Sequence, residues 1–209
     1  MPGRPLQTEA FVLLKRPPTD SFQAFTLFSS EHGALLALRR IPKKSSANHL
    51  ALDLFDEISV SLETSNEGSS WFIREARLIA RPTPIGRSYE TLRHASALTA
   101  LIARNPVHEE SRATVAALLR TAFAAFASSG RPDIVFFKTL YCFARDEGYP
   151  VKQEWLASLP GDLRAEAEHL LHTPLADLEK LEIKNAKAET RLVRRLEDYL
   201  RGHTEILLA

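Results

Sequence analysis

The sequence predicts an α+β protein with its strands first and its helices second, and three observations carry that prediction. Up to about residue 80, apolar residues come in short runs rich in Phe, Val, Ile and Leu, divided by turn residues. Pro82 and Pro84 then interrupt the chain in "RPTP", where a strand cannot continue for lack of backbone N–H donors. From Tyr89 onward, apolar residues recur at helical spacing. Two domains follow, a β domain over 1–81 and an all-α domain over 82–209, within what 209 residues can bury as core.

The strands can be justified in order. "EAFVLLKR" is an apolar run closed by Pro17-Pro18, and "FQAFTLF" follows the turn-like "PPTDS". "SSEHG" then separates it from "ALLALRR", with Gly33 placed to supply a positive φ. Leu52 to Thr64 forms the fourth run, with Ile58, Val60 and Leu62 alternating against Ser59, Ser61 and Glu63. "SNEGSS" turns into the fifth, "WFIREARLIA". Five short strands with tight connections predict a small barrel or curled sheet of the OB or SH3 type.

The helical half has its own punctuation. Between Tyr89 and Arg104, Leu92, Ala95, Leu98, Leu101 and Ile102 form a stripe. In the next segment Asn105 is expected to cap, Pro106 to open and Gly130 to close a helix whose core face is Val115, Leu118, Leu119, Ala122, Phe123 and Phe126. Pro132 and Gly148-Tyr149-Pro150 bracket a third helix, and "GDLRAEAEHLLHT" and "AKAETRLVRRLEDYLRGH" predict two more.

Composition narrows the function. Lys and Arg number 27 against 26 Asp and Glu, a formal charge of +1, so bulk charge does not draw this chain to nucleic acid and only local patches can steer. A single cysteine, Cys142, excludes an internal disulfide or a cysteine-rich zinc site within one chain and reads as a buried, inert thiol in "IVFFKTLYCFA". "MPGRPLQTEA" lacks the apolar core of a signal peptide, and no apolar run approaches the ~20 residues that span a bilayer. A cytoplasmic protein with no membrane partner is expected.

Catalytic signatures are missing from the sequence. His169 and His172, with Glu166 and Glu168, are the best metal-ligand spacing, but a third and fourth ligand do not follow, and a solvated helix face accounts for them. Neither Gly-x-Ser-x-Gly nor a phosphate-cradling glycine loop occurs. A binding protein without cofactor or metal is therefore expected rather than an enzyme.

The remaining lead is a basic cluster, Arg39, Arg40, Lys43 and Lys44, with no acidic residue between Glu31 and Asp53. In a strand Arg39 and Arg40 point to opposite faces, but the loop after them can wrap cations and hydroxyls around phosphates. Lys15 and Arg16 end the first strand and can lie beside it. The competing reading is a strand end that uses cations to resist edge-to-edge pairing.

The ordered pieces resemble the RecO family of bacterial DNA repair and recombination mediators. Thr26-Leu27-Phe28, Glu31-His32-Gly33, the basic proline-containing stretch Arg39 to Ser46, "FARDEGYP" from Phe143 to Pro150, "EHLLHTPLADL" and "ETRLVRRLEDYLRGH" carry the likeness along nearly the full chain. The resemblance implies an amino-terminal OB-fold, a helical carboxy-terminal domain and a nucleoid-associated protein. It also implies binding to single- and double-stranded DNA, strand annealing, and RecA loading together with RecR. On that reading Lys15, Arg16, Arg39, Arg40, Lys43 and Lys44 contact phosphates, with Phe25 or Phe28 as a stacking platform unless both belong to the core. An apolar slot for the acidic, phenylalanine-terminated tail of single-strand-binding protein is also implied, with Arg112, Arg120 and Arg131 as rim residues. This chain departs from the pattern in two places. The four-cysteine zinc module is absent, and Ala34 stands where the family has arginine after the turn glycine. Both departures suit an alternative, an interaction adaptor of the same fold with weak or no DNA binding.

Overall fold

The computed structural model describes residues 5–41, 50–64, 70–175, 177 and 188–208. Five strands come first: β1 (Pro5–Lys15), β2 (Phe22–Ser29), β3 (Gly33–Arg40), β4 (Glu57–Thr64) and β5 (Trp71–Ala80). They hydrogen-bond in the order β1-β2-β3-β5-β4, and β4 pairs back onto β1, so the ring closes. All neighbours are antiparallel except β3 and β5, which run parallel through Ala37↔Trp71 and Leu38↔Phe72. Helices follow: α1 (Tyr89–Arg104), α2 (Arg112–Ser128), α3 (Pro132–Asp146), α4 (Gly161–His172) and α5 (Ala188–His203). The protein is thus a mixed α+β chain with its sheet at the amino-terminal end.

Alternation builds the interior of the ring. Val12, Phe25, Leu27, Ala37, Ile58, Val60 and Leu62 are all buried there, contributed by β1 to β4. Gly33 has φ +68° and closes the β2–β3 turn, and a Cβ there would lie 3.0 Å from Nε of Arg112. The left-handed backbone favours glycine there, and a Cβ would also press on the guanidinium. The fourth strand starts later than its apolar run. Phe55 sits at φ 70°, a conformation outside strand geometry, so Leu52 to Asp56 form a turn. That turn is held to β1 by Phe55 N–H to the Val12 carbonyl at 2.9 Å and Val12 N–H to the Asp56 carbonyl at 2.8 Å.

The chain divides into two compact units, one of residues 1–82 with 106–116 and one of 83–105 with 117–209. In the second, α3 packs against α1, α4 and α5. Its core includes Leu98, Ile102, Phe137, Phe143 and Trp155, with Leu192, Leu196 and Leu200 of α5 spaced by four so that one face is buried. Asn105 does not cap the following helix as its sequence position suggests. It ends α1, donating Nδ2–H to the Leu101 carbonyl at 2.7 Å, and its Oδ1 accepts the Leu207 N–H at 2.8 Å. The helix after it begins only at Arg112, behind a 3-10 turn at Glu109–Ser111. Leu92, assigned to the α1 stripe by spacing, is 37% exposed, whereas His94 on the same helix is buried against Phe136.

Candidate nucleic-acid interface

β2 is flanked by β1 on one side and β3 on the other, and its first residues collect the cations. Lys15 pairs across to Phe25, the Arg16 N–H donates to the Ala24 carbonyl, Gln23 faces Arg39 and Phe22 faces Arg40. The four described cations of the expected site therefore share one end of three adjacent strands, across two strand spacings of about 10 Å in all. Lys43 and Lys44 lie outside the described residues.

Their environments differ. Arg39 is half-buried and donates Nη1–H to the Leu50 carbonyl, which ties Leu50 to the end of the ring. Burial lowers its pKa from the ordinary arginine value. Lys15 is paired with Asp53 at 3.2 Å. Arg16 and Arg40 are exposed and have no side-chain partner among the described residues. Of this group they are the cations open to an incoming phosphate.

Phe25 and Phe28 are both in the core, at 1% and 0% exposure, so neither is a stacking platform. The structure exposes a different aromatic pair. Phe22 and Phe72 are only partly buried, their ring centroids are 5.7 Å apart, and their planes are tilted by 49°. Phe22 alternates with buried Phe25 and Leu27 of β2 in phase with Arg40, its cross-strand neighbour, so both stand on the outer face. Leu36, 40% exposed, continues that face along β3. Phe72 comes to it through the parallel β3–β5 contact, a non-local pairing that spacing along the chain does not show.

The three arginines expected to rim a tail-binding slot are not placed alike. Arg112 belongs to the first unit, where Nη1–H donates to the Glu31 carbonyl at 3.1 Å and Nε is buried without an acceptor among the described residues. Arg120 and Arg131 belong to the second. Arg120 is exposed, and Arg131 grips the Asp133 carboxylate through Nε–H at 3.2 Å and Nη2–H at 2.9 Å. Asp133 lines a cleft of about 1080 Å³ among α1, α3 and α5, where Glu90 and Glu197 face Arg93 and Arg201. Its charges are mixed. Burial raises the Glu197 carboxyl pKa, and Arg201 opposes that shift.

Among the described residues no group of three or more His, Cys, Asp or Glu side chains is placed to hold a metal ion. His172 Nδ1–H donates to the Glu168 carbonyl at 2.6 Å, a local helix-end contact. Cys142 is half-buried, and burial pushes its thiol pKa up, away from the thiolate that nucleophilic chemistry needs. Among the described residues no helix is long and apolar enough to cross a membrane. In comparisons with known proteins, no family model matches this chain and no curated protein does.

Proposed function

We propose that the first unit is an OB-fold that binds single-stranded DNA, and that the chain is a DNA-binding mediator of the RecO kind rather than an enzyme. One observation carries this reading: the outward Phe22–Phe72 pair with exposed Arg40 directly across from Phe22. An OB-fold is a five-stranded Greek-key barrel that takes oligonucleotides on the face of its second and third strands. The ring order and the parallel β3–β5 contact suit that fold, and Phe22 and Arg40 stand on that face. Partly exposed aromatic rings accept bases of any sequence, while guanidinium groups hold the phosphates between them. Strand annealing needs no bond-breaking group, only charge neutralisation that leaves base edges free to pair. Pairing with RecR, loading of RecA and capture of the single-strand-binding protein tail belong to the same proposal and rest on the family resemblance.

A second reading, the adaptor with weak or no DNA binding, draws on the internal engagement of Lys15 by Asp53 and of Arg39 by Leu50. Fluorescence anisotropy of a labelled single-stranded oligonucleotide separates the two. On the DNA-binding reading, replacing Phe22 and Phe72 with alanine weakens binding by about 1–3 kcal/mol for each base that stacks there. Absence of binding at roughly 50 mM salt, where phosphate contacts are strongest, would leave the adaptor.

A further inference from the structure

The second unit carries a cleft that the DNA-binding reading does not use. It has a volume of about 590 Å³ and is lined by Trp155, Arg191, Arg194, Arg195, Tyr199 and His203, a size that suits a ligand of roughly nucleotide dimensions. Arg191, Arg194 and Arg195 occupy positions i, i+3 and i+4 of α5 and so share one face of the helix. They are exposed and have no carboxylate partner among the described residues, and the acidic side chain in the same cleft, Asp198, is paired with Arg201 at 3.3 Å. Arg191 stands in the first turn of a helix that begins at Ala188, where the helix dipole disfavours cations. Three guanidinium groups on one helix face, without a carboxylate partner among the described residues, repel one another unless an anion joins them.

The rest of the cleft adds a donor and a flat surface. Trp155 is 2% exposed, and its indole N–H has no acceptor among the described residues. The rings of Tyr199 and His203 stack with centroids 4.7 Å apart and planes 12° from parallel. His203 Nδ1–H donates to the Tyr199 carbonyl at 3.0 Å, which fixes the imidazole plane while the residue stays exposed. Guanidinium forks match phosphate oxygens two at a time, and several of them suit a multiply charged phosphate better than one carboxylate.

We propose that this cleft binds a nucleoside polyphosphate, its phosphates on Arg191, Arg194 and Arg195 and its base against the exposed face of His203. The alternative is an unliganded arginine face on an amphipathic helix. Isothermal titration calorimetry of the full chain with ATP, inorganic triphosphate and adenosine distinguishes them. ATP is expected to bind with Kd below about 1 mM, more tightly than inorganic triphosphate, and adenosine to give no measurable binding. The surface double variant Arg191→Gln/Arg195→Gln is expected to lose affinity for ATP by about tenfold or more, one factor of ten corresponding to about 1.4 kcal/mol. Because Arg16→Glu/Arg40→Glu alters only the proposed DNA interface, it should leave ATP binding unchanged, which keeps the two sites distinguishable. No binding of ATP at about 1 mM, or equal binding by the double variant at 191 and 195, overturns the proposal. Equal affinity for inorganic triphosphate and ATP overturns the nucleoside assignment.

Discussion

At the scale of single residues, the most committed polar group of the first unit is Asp56. Its side chain is fully buried, and Arg81 reaches both oxygens, Nε–H to Oδ1 at 2.7 Å and Nη2–H to Oδ2 at 2.6 Å. Oδ2 also accepts the Asp53 N–H at 2.8 Å, and Arg81 Nη2–H bonds the Ala51 carbonyl at 2.7 Å. The pair therefore fastens the turn before β4 to the end of β5. Arg81→Ala leaves a buried carboxylate without its counter-charge. Because the Arg81 side chain is 34% exposed, the expected loss of about 2–3 kcal/mol lies below the range for fully buried pairs, and urea denaturation measures it.

Tyr199 gives a pH prediction at the same scale. Burial, then the hydrogen bond from its hydroxyl to Glu154 at 2.8 Å, pushes the phenol pKa from 10.0 up to about 12. A raised folded-state pKa means that the folded protein favours the neutral phenol. Its stabilising contribution is complete below pH 10 and is lost as pH rises from 10 to about 12. Tyr199→Phe should remove one late-titrating phenol from an ultraviolet tyrosine titration and flatten the alkaline loss of stability. A titration identical to that of the unaltered protein would refute the assignment. Tyr141, whose pKa burial also raises, remains as the other late titrator.

At the scale of elements, α4 is secured from outside itself. The last carbonyls of a helix have no partners within it, and here Lys138 of α3 supplies them. Its ammonium donates to the carbonyls of Leu170 at 2.5 Å, Leu171 at 3.0 Å and Thr173 at 2.6 Å. Lys138 is only 7% exposed, and burial lowers its pKa, while the negative end of the α4 dipole favours its charge. Lys138→Met keeps the apolar stem and removes the donors. We expect a cost of about 1–3 kcal/mol, with hydrogen-exchange protection falling first at the end of α4. Unchanged protection there would show that the lysine is not what holds the helix end.

For the molecule as a whole, a formal charge of +1 leaves any attraction to DNA to local groups. The expected signature is a salt dependence set by few phosphate contacts: log affinity falls with log salt at a slope near −0.7 per phosphate neutralised on a single strand. Arg16→Glu/Arg40→Glu should reduce that slope in anisotropy titrations, whereas Phe22→Ala/Phe72→Ala should weaken binding with the slope unchanged. A slope insensitive to Arg16 and Arg40 would move the phosphate contacts elsewhere.

Much of this molecule was legible in order along the chain. Local patterning marked all five strands and the positions of α1, α3, α4 and α5, because alternation, helical spacing and proline boundaries act within a few residues. Phe25 and Phe28 read as either stacking platform or core, a choice the tertiary packing made in favour of core, while Gly33 was legible as a left-handed turn. What spacing could not supply were contacts between distant segments. Asn105 reads as an amino-terminal cap, but the returning carboxy-terminal segment recruits it through Leu207. Leu52 to Asp56 reads as strand, but Phe55 turns and Arg81 holds the turn through Asp56. The basic cluster was found by composition, yet only the contacts with Asp53 and Leu50 separate exposed Arg16 and Arg40 from the engaged Lys15 and Arg39. Phe22 and Phe72 are distant in sequence and meet because β3 runs parallel to β5. Sequence determined which segments are strand and helix, because those preferences are local. The tertiary structure decided which aromatic rings and cations remain available to a ligand, because availability depends on what the rest of the chain covers or pairs.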